Sequence, residues 1–431
     1  MLNKEIFTLN PDDNNLLNNG YVEINGSRDE NDLKIARHEL KTFVCEGEYQ
    51  KGIYRILQTY LSNFEQPKQP AVWVSGFYGS GKSHLVKMLG YLWEDFAFPD
   101  GTTARTIKPL PDDVNELMTE LSRKQALHGR LSVSGTLKDF PSSDIRYSFF
   151  QLFMNALGLP PQFHHFKFVH WCKKEGIYDD LKKLIEDDGG HFKTEYENLF
   201  VSSSIAQGIL KLKPGFAENE AKVLDHLSET FIRVDSISRD QLLDTLKYEV
   251  FPLFYKTIPC TVVVLDEVQQ FIGNDGDKAI DLQNLTQELG SGFDGKLLLV
   301  GTGQNALSET PYLQKLQDRY TVKVLLSDAD VETVTRKTVL AKKATAIPAI
   351  QKKLDDSLGE ISRSLAGTDF AFRTDDKDNL VADYPVLPSI RKFWKRILIS
   401  IDTAGTSGQL RSQLRIVDDG IKFVASGELG D

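Results

Sequence analysis

The stretch that decides the fold lies at residues 71–84 and reads AVWVSGFYGSGKSH. Its first five residues form an apolar run bounded by turn-forming residues, which predicts a short buried strand. The next eight match the pattern G-x-x-x-x-G-K-[ST], and an apolar stripe at helical spacing follows them. A strand, a glycine-rich turn and a helix in this order are the opening of a βαβ unit.

The glycine-rich turn predicts a phosphate-binding site. Backbone N–H groups of such a loop converge on one point, and the positive end of the next helix lies there too. We expect Lys82 to reach the β- and γ-phosphates of a nucleotide and the Ser83 hydroxyl to ligate Mg²⁺. The alternative is a glycine-rich turn beside a surface lysine, but the flanking strand and helix favour the phosphate site. The predicted nucleotide-binding residues are Gly76, Phe77, Tyr78, Gly79, Ser80, Gly81, Lys82, Ser83 and His84.

A second apolar strand, TVVVLDEV at 261–268, carries Asp266 and Glu267 at its carboxyl end. Ligands of open α/β sheets bind outside that end of the strands. We therefore expect Asp266 to share the Mg²⁺ shell with Ser83, and Glu267 to orient and polarise the attacking water. Taken alone, the pair is also compatible with an acidic turn after a buried strand.

A later strand, KLLLVGTG at 296–303, ends in a pattern with two interpretations. The letters GTGQNA at 301–306 mimic the G-x-G-x-x-A fingerprint of a dinucleotide site. A dinucleotide loop and a phosphate loop would compete for the same strand ends, so we favour a sensing role. Thr302 is expected to hydrogen-bond the γ-phosphate or the attacking water, with Gln304 or Asn305 as alternates.

Two arginines stand at informative positions. Arg319 lies between a helix and the strand TVKVLL at 321–326, from where it would reach the γ-phosphate of a neighbouring subunit. The alternative is an exposed, ion-paired arginine. Arg411 lies near the start of a late helix and would fold over the bound nucleotide, although a surface role fits equally well.

Two further patterns favour structural roles. The basic and aromatic stretch RKFWKR at 391–396 is typical of a helix whose apolar face packs and whose charges face water. His164, His165, His170 and Cys172 invite a metal interpretation. Their spacing places no two ligands at i and i+4 and no second cluster accompanies them, so we do not predict a metal there.

Composition limits the class of protein. The 431 residues carry a formal net charge of −10, and 41% of them are hydrophobic, which excludes a disordered or fibrous chain. No apolar run is long enough to span a membrane, and the N-terminus lacks a signal peptide's apolar stretch. The few cysteines are far apart and form no CxxC pair, which favours a reducing, cytoplasmic location. The acidic balance argues against indiscriminate coating of nucleic acid.

Apolar strands that alternate with helices predict an α/β fold with a parallel sheet, a helical insertion and a C-terminal helical lid. A short strand is expected near Tyr21–Ile24, and Gly290 is placed to end the helix before the strand at 296–303. The predicted organisation is an N-terminal arm at 1–36, a nucleotide-binding core at 37–140 and 251–329, a helical insertion at 141–250 and a helical lid at 330–431.

Six stretches taken together resemble the BREX P-loop ATPases, the BrxC or PglY family, whose ATPase module is similar to the AAA+ and origin-recognition types. The stretches are FVCEGEYQKGIYRIL (43–57), FYGSGKSHL (77–85), VVVLDEVQQFIG (262–273), LLLVGTGQNAL (297–307), LQDRYTVKVLLSD (316–328) and GQLRSQLRIVDDGI (408–421). The ordered set carries the resemblance, and no single motif does. The long insertion departs from a minimal AAA+ core.

The resemblance implies a P-loop NTPase of AAA+-like type that uses ATP and Mg²⁺. By position it makes Thr302 a first sensor, Arg319 an arginine finger and Arg411 a second sensor. It also implies a motor or switch role in bacterial antiviral defence, with a DNA methyltransferase and other BREX proteins as partners. Self-association, DNA contacts made directly or through partners, and a longer full-length protein are implied as well. A nucleotide-stabilised scaffold with little hydrolysis and a replication-initiator or STAND-type signalling ATPase are the alternatives.

Overall fold

The computed structural model describes residues 1–11, 29–76, 80–304, 306–308, 311–363, 366–401 and 409–430. The strand expected at Tyr21–Ile24 lies outside the described residues. So do Phe77, Tyr78 and Gly79 of the glycine-rich turn, and Asn305.

The described residues form one five-stranded parallel sheet in the order β2-β3-β4-β1-β5. The strands are β1 (Val72–Ser75), β2 (Arg130–Gly135), β3 (Cys260–Leu265), β4 (Leu297–Gly303) and β5 (Val322–Leu325). Every residue of β1, β3 and β4 is buried, because apolar strands of this kind are covered on both faces. The predicted α/β class with a parallel sheet is confirmed.

Helices connect and follow the strands. They are α1 (Glu30–Thr42), α2 (Gly47–Ser62), α3 (Lys82–Glu94), α4 (Ala104–Ile107), α5 (Asp112–His128), α6 (Ile145–Ala156), α7 (Phe163–Lys174), α8 (Tyr178–Asp187), α9 (Phe192–Glu197), α10 (Ser203–Leu212), α11 (Glu220–Thr230), α12 (Arg239–Asp244), α13 (Val268–Ile272), α14 (Gly276–Gly292), α15 (Pro311–Gln314), α16 (Asp328–Lys337), α17 (Ile347–Arg363), α18 (Leu380–Asp383), α19 (Pro388–Ile401) and α20 (Gln409–Val424). Shorter 3₁₀ turns lie at Asn3–Ile6, Leu137–Asp139, Phe251–Leu253, Ala344–Ala346 and Thr374–Asn379, and a π-helix at Thr245–Val250.

The chain divides into two compact units. The first unit comprises Met1–Asn63, Pro70–Arg123 and Val300–Asp431, and the second comprises Phe64–Gln69 and Lys124–Leu299. The first unit therefore holds the glycine-rich turn, and the second holds the carboxylates that follow β3.

Helix α3 is the element that follows the glycine-rich turn in the first unit. Its apolar stripe is fully buried and consists of Leu85, Met88, Leu89 and Leu92. The Arg105 guanidinium donates to the carbonyl oxygens of Leu92 at 2.7 Å and Trp93 at 3.1 Å. Because the last carbonyls of a helix lack intrahelical partners, these bonds stabilise its C-terminal end.

The first residues of the chain belong to the same core as the C-terminal helices. Ile6 and Phe7 are buried in one cluster with residues of α17, α18 and α20. Asn3 donates its side-chain amide to Val424 and Glu428 carbonyls at 3.1 Å each, and the Tyr384 hydroxyl donates to Asn3. These bonds fix the N-terminal segment to the C-terminal part of the chain.

The stretch at 391–396 in α19 differs from the expectation of a packed apolar face and solvated charges. Phe393 and Trp394 are 44% and 38% exposed. Arg391 is instead nearly buried and pairs with Asp383, which is 2% exposed and also binds Arg336. A buried carboxylate such as that of Asp383 requires cationic partners, so the Arg391 side chain packs against it and not into solvent.

Gly290 does not end its helix, so that prediction is wrong. Helix α14 continues to Gly292. A Cβ at Gly290 would lie 2.6 Å from the backbone oxygen of Gln69, whose N–H donates to the Gly290 carbonyl at 2.8 Å. The glycine is there because another chain segment approaches the helix closely in the second unit.

Candidate nucleotide-binding site

The glycine-rich turn leaves the carboxyl end of β1 and leads into α3. Gly81 precedes the helix with φ of +88°, a conformation that glycine adopts without strain. The Leu85 N–H donates to the Gly81 carbonyl at 2.8 Å, so the helix begins directly at Lys82. The order of strand, turn and helix is the predicted one.

The Lys82 side chain contacts the first residue of the motif. Its Nζ donates to the carbonyl oxygen of Gly76 at 2.7 Å, which places the ammonium beside the first residue of the motif. A phosphate oxygen is a stronger, charge-assisted partner than a carbonyl, so a ligand can take over this contact. Ser83 and His84 follow in the first turn of α3, and both are partly exposed.

Close packing explains the first glycine of the motif. A Cβ at Gly76 would lie 2.6 Å from the Ser80 Oγ and 3.0 Å from the Leu326 backbone oxygen. Protein interiors leave no room for such an atom without displacement of the neighbours. Gly76 and the fully buried Ser80 therefore pack closely, and only glycine fits at the first position.

Tyr49 of α2 supports the turn and is a residue that sequence reasoning missed. Its hydroxyl donates to the Ser80 carbonyl at 2.6 Å, and the residue is 3% exposed. Phe43 contacts the rings of Tyr49 and His84 edge-on, and burial lowers the pKa of His84. No spacing rule links a tyrosine of α2 to a turn 31 residues later.

Thr302 lies one strand away from the start of the turn, in the first unit. It is 1% exposed and pairs in register with Val74, while Gly303 pairs with Ser75. Neighbouring strands are about 4.8 Å apart, so its backbone lies close to the carboxyl end of β1. The position agrees with a sensing role, and the role itself stays a prediction. Gln304 is exposed, and Asn305 is outside the described residues.

The glycines of the apparent dinucleotide fingerprint have a packing role. A Cβ at Gly303 would lie 2.3 Å from the Trp73 indole, and one at Gly301 would lie 3.0 Å from Tyr320 and 3.2 Å from Trp73. These two aromatic rings contact each other edge-on at 5.5 Å. Glycine is therefore required by the rings that pack on β4, and the fingerprint needs no cofactor to explain it.

Arg319 lies at the amino ends of the strands, whereas the glycine-rich turn follows the carboxyl end of β1. Its carbonyl accepts the N–H of Ala71, the residue before β1, at 3.0 Å. Five residues of extended chain, about 16 Å, separate Ala71 from Gly76. An arginine side chain cannot span that distance, so Arg319 does not reach the phosphate loop of its own chain.

Asp266 and Glu267 directly follow β3 in the second unit. The Asp266 N–H donates to the Gly135 carbonyl at 2.8 Å, which extends the β2–β3 ladder by one bond. Glu267 has φ of +53° and turns the chain from the strand into α13. This conformation is uncommon for a residue other than glycine, and such strain clusters at functional sites.

The Glu267 carboxylate is engaged by two side chains. Gln270 donates to its Oε1 at 3.0 Å, and the Lys138 Nζ lies 3.6 Å from its Oε2. Lys138 also donates to the Gln270 side-chain oxygen, which closes a small network. The Glu267 side chain remains 37% exposed, so water can reach it.

Arg411 belongs to α20, whose backbone is described from Gln409 to Val424. Its side chain lies outside the described part of the structure, and its role stays a prediction.

The two adjacent histidines of α7 pack into an aromatic cluster in the second unit. Their rings are 4.0 Å apart, and they contact Phe200 and Tyr196. Burial, with a smaller contribution from the positive charge of Arg233, lowers the pKa of His164 and His165 to about 4. Within the described ranges, no three His, Cys, Asp or Glu side chains are grouped as metal ligands.

This histidine pair predicts acid sensitivity. Each pKa is below its ordinary value of 6.5, so the unfolded chain binds more protons between pH 6.5 and about 4. The pair's stabilising contribution is complete above pH 6.5 and is lost as the pH falls to 4, by about 3 kcal/mol per ring at most. Urea unfolding should show a shallower pH dependence for His165→Gln than for the wild type. A matched His191→Gln change at an exposed site should keep the wild-type dependence. Equal slopes for all three proteins would contradict the prediction.

A scan against protein-family models matches none. In the part of the chain that the structure describes, no helix combines the length and apolar character needed to cross a bilayer.

Proposed function

We propose that this chain is an AAA+-like P-loop ATPase that binds ATP at residues 76–84 and hydrolyses it to ADP and phosphate. The geometry of the turn supports the proposal. A glycine at positive φ caps α3, and the Lys82 ammonium donates to the carbonyl of Gly76, the residue that follows the carboxyl end of β1. Anionic ligands bind at such helix N-termini and at this end of the strands.

The proposal includes Mg²⁺, and the donor chemistry fits it. Ser83 offers a hydroxyl and Asp266 a carboxylate, which are the oxygen ligands that Mg²⁺ prefers beside phosphate and water. The metal would neutralise charge that develops on the phosphates. Lys82 would hold the β- and γ-phosphates, and Glu267 would orient the attacking water and receive its proton.

Glu267→Gln should retain ATP binding and lose hydrolysis. The amide fits the same space but is a poor proton acceptor, and general base catalysis contributes about 10²–10⁴-fold in rate. Phosphate release measured with Mg²⁺ and ATP should fall by that factor, with little change in the dissociation constant for ATP. Asp277→Asn, at an exposed carboxylate of α14, is the control and should leave turnover unchanged. Turnover of Glu267→Gln at the wild-type rate would show that the base is elsewhere.

We further propose that the ATPase acts as a motor or switch in a bacterial BREX defence complex in the cytoplasm. The resemblance of the six ordered stretches supports this role. Nucleotide binding would order the lid against the core, and hydrolysis would release it, as in other nucleotide switches. Native purification from the source cell tests the role: a DNA methyltransferase should co-purify. Replication-initiation proteins in its place would favour the initiator class.

A nucleotide-stabilised scaffold is the second candidate, and one observation favours it. The Lys138 ammonium and the Gln270 amide already contact the two oxygens of the Glu267 carboxylate, so they compete with an attacking water for these oxygens. Turnover measurements separate the two candidates. Stable ATP binding with negligible phosphate release by the full-length protein and its partners would identify a scaffold.

A further inference from the structure

The peptide plane between Ser80 and Gly81 is held by a side chain from another helix. Tyr49 donates its hydroxyl to the Ser80 carbonyl at 2.6 Å in a buried contact. The phenol also fills the space beside Gly81, because a Cβ there would lie 2.4 Å from the phenolic oxygen. The Tyr49 hydroxyl thus fits beside residue 81 because glycine has no side chain.

This contact also sets the direction of an N–H group. In a planar trans peptide the carbonyl and the N–H point to opposite sides. The Gly81 N–H therefore points away from the Tyr49 hydroxyl whenever the Ser80 carbonyl points toward it. Glycine permits the backbone rotations that would flip this plane, so the orientation depends on an external partner.

Tyr49 is itself rigidly placed. It lies in the first turn of α2 and is 3% exposed. The Phe43 ring packs edge-on against it, with ring centres 6.3 Å apart. A hydroxyl on a fixed ring is a preorganised donor, which needs no reordering when a ligand arrives.

We propose that Tyr49 is a positioning residue for nucleotide phosphates: by holding the Ser80 carbonyl, it aims the Gly81 N–H at the phosphate-binding point of the turn. The inference rests on the proposed ATP site and adds a residue to it. Backbone N–H groups of such loops contact phosphates that ADP and ATP share. Loss of the hydroxyl should therefore weaken the binding of both nucleotides by the same factor.

Tyr49→Phe tests the proposal, because it removes only the hydroxyl and keeps the ring that contacts Phe43. Calorimetry with Mg²⁺ should show dissociation constants for ADP and ATP that are both about tenfold higher than in the wild type. KM for ATP should rise similarly, with kcat nearly unchanged, since the lost interaction is made in ground state and transition state alike. Tyr54→Phe is the matched control: the same substitution on α2, and nucleotide affinity should not change.

Other outcomes would overturn the proposal in distinguishable ways. Wild-type affinities in Tyr49→Phe, with or without a lower unfolding temperature, would leave Tyr49 a purely structural residue and the ATP site intact. Weaker binding of ATP alone would place the effect at the γ-phosphate and contradict the assignment. No binding of either nucleotide by the wild-type protein would refute the ATP site, and the positioning role with it.

Discussion

Lys82→Ala should abolish the thermal stabilisation of this protein by ATP and Mg²⁺. A ligand that binds only the folded state stabilises it by about 2.7 kcal/mol at a hundredfold excess over its dissociation constant. The Lys82 ammonium lies 2.7 Å from the carbonyl oxygen of Gly76, the first residue of the motif. Without it the β- and γ-phosphates lose their main positive partner, so the nucleotide-dependent shift in unfolding temperature should vanish.

The control is an exposed lysine on a neighbouring helix. Lys51 of α2 is 62% exposed and pairs only with Glu48 of the same helix in the described contacts. Lys51→Ala should therefore keep the full shift with ATP and Mg²⁺. The unfolding temperature of Lys82→Ala without nucleotide should stay near the wild-type value, because a hydrogen bond to a carbonyl contributes little. An unchanged shift with ATP in Lys82→Ala would refute the phosphate-loop assignment.

The strands could be predicted because their signal is local. Each of β1, β3 and β4 is an apolar run between turn residues, and burial on both faces produces that pattern directly. The prediction that Gly290 ends its helix is wrong because the reason for this glycine is not local. Its role depends on the backbone of Gln69, a residue far away in sequence, and no periodicity reports such an approach.

The candidate site divides in the same way. The phosphate-loop motif and the Asp266–Glu267 pair are visible because their chemistry is written in consecutive residues. Tyr49 is invisible in sequence, since its hydroxyl acts on a carbonyl of a different element. Gly301 and Gly303 match a dinucleotide fingerprint although their role is in packing. The Trp73 ring leaves no room for a side chain at either position, so both must be glycine. Short motifs can thus predict the chemistry of a site. Contacts between distant residues decide which glycines and aromatic residues belong to that site.

Arg319→Ala should bind ATP normally and hydrolyse it poorly. Arg319 lies at the amino ends of β1 and β5, whereas the glycine-rich turn of its own chain follows the carboxyl end of β1. The Arg319 side chain is therefore too far from that turn to touch a nucleotide bound there. If it acts in catalysis, it acts on the γ-phosphate of a neighbouring subunit. An arginine supplied in this way contributes about 10³–10⁵ in rate. The assay is phosphate release by the full-length protein, and Arg123→Ala, at an exposed arginine of α5, should leave the rate unchanged.

Mixing Arg319→Ala with Lys82→Ala separates a catalytic arginine from a structural one. Each variant alone lacks one half of every site, either the phosphate-binding lysine or the arginine from the neighbour. In a mixed oligomer, some interfaces pair an intact Lys82 from the Arg319→Ala subunit with an intact Arg319 from the Lys82→Ala subunit, so part of the activity should return. The mixture must be assayed at concentrations where the full-length protein self-associates. If oligomers form and no activity returns at any ratio, Arg319 does not act between subunits. Arg319 would then have only a structural role, in which its carbonyl accepts the N–H of Ala71 just before β1.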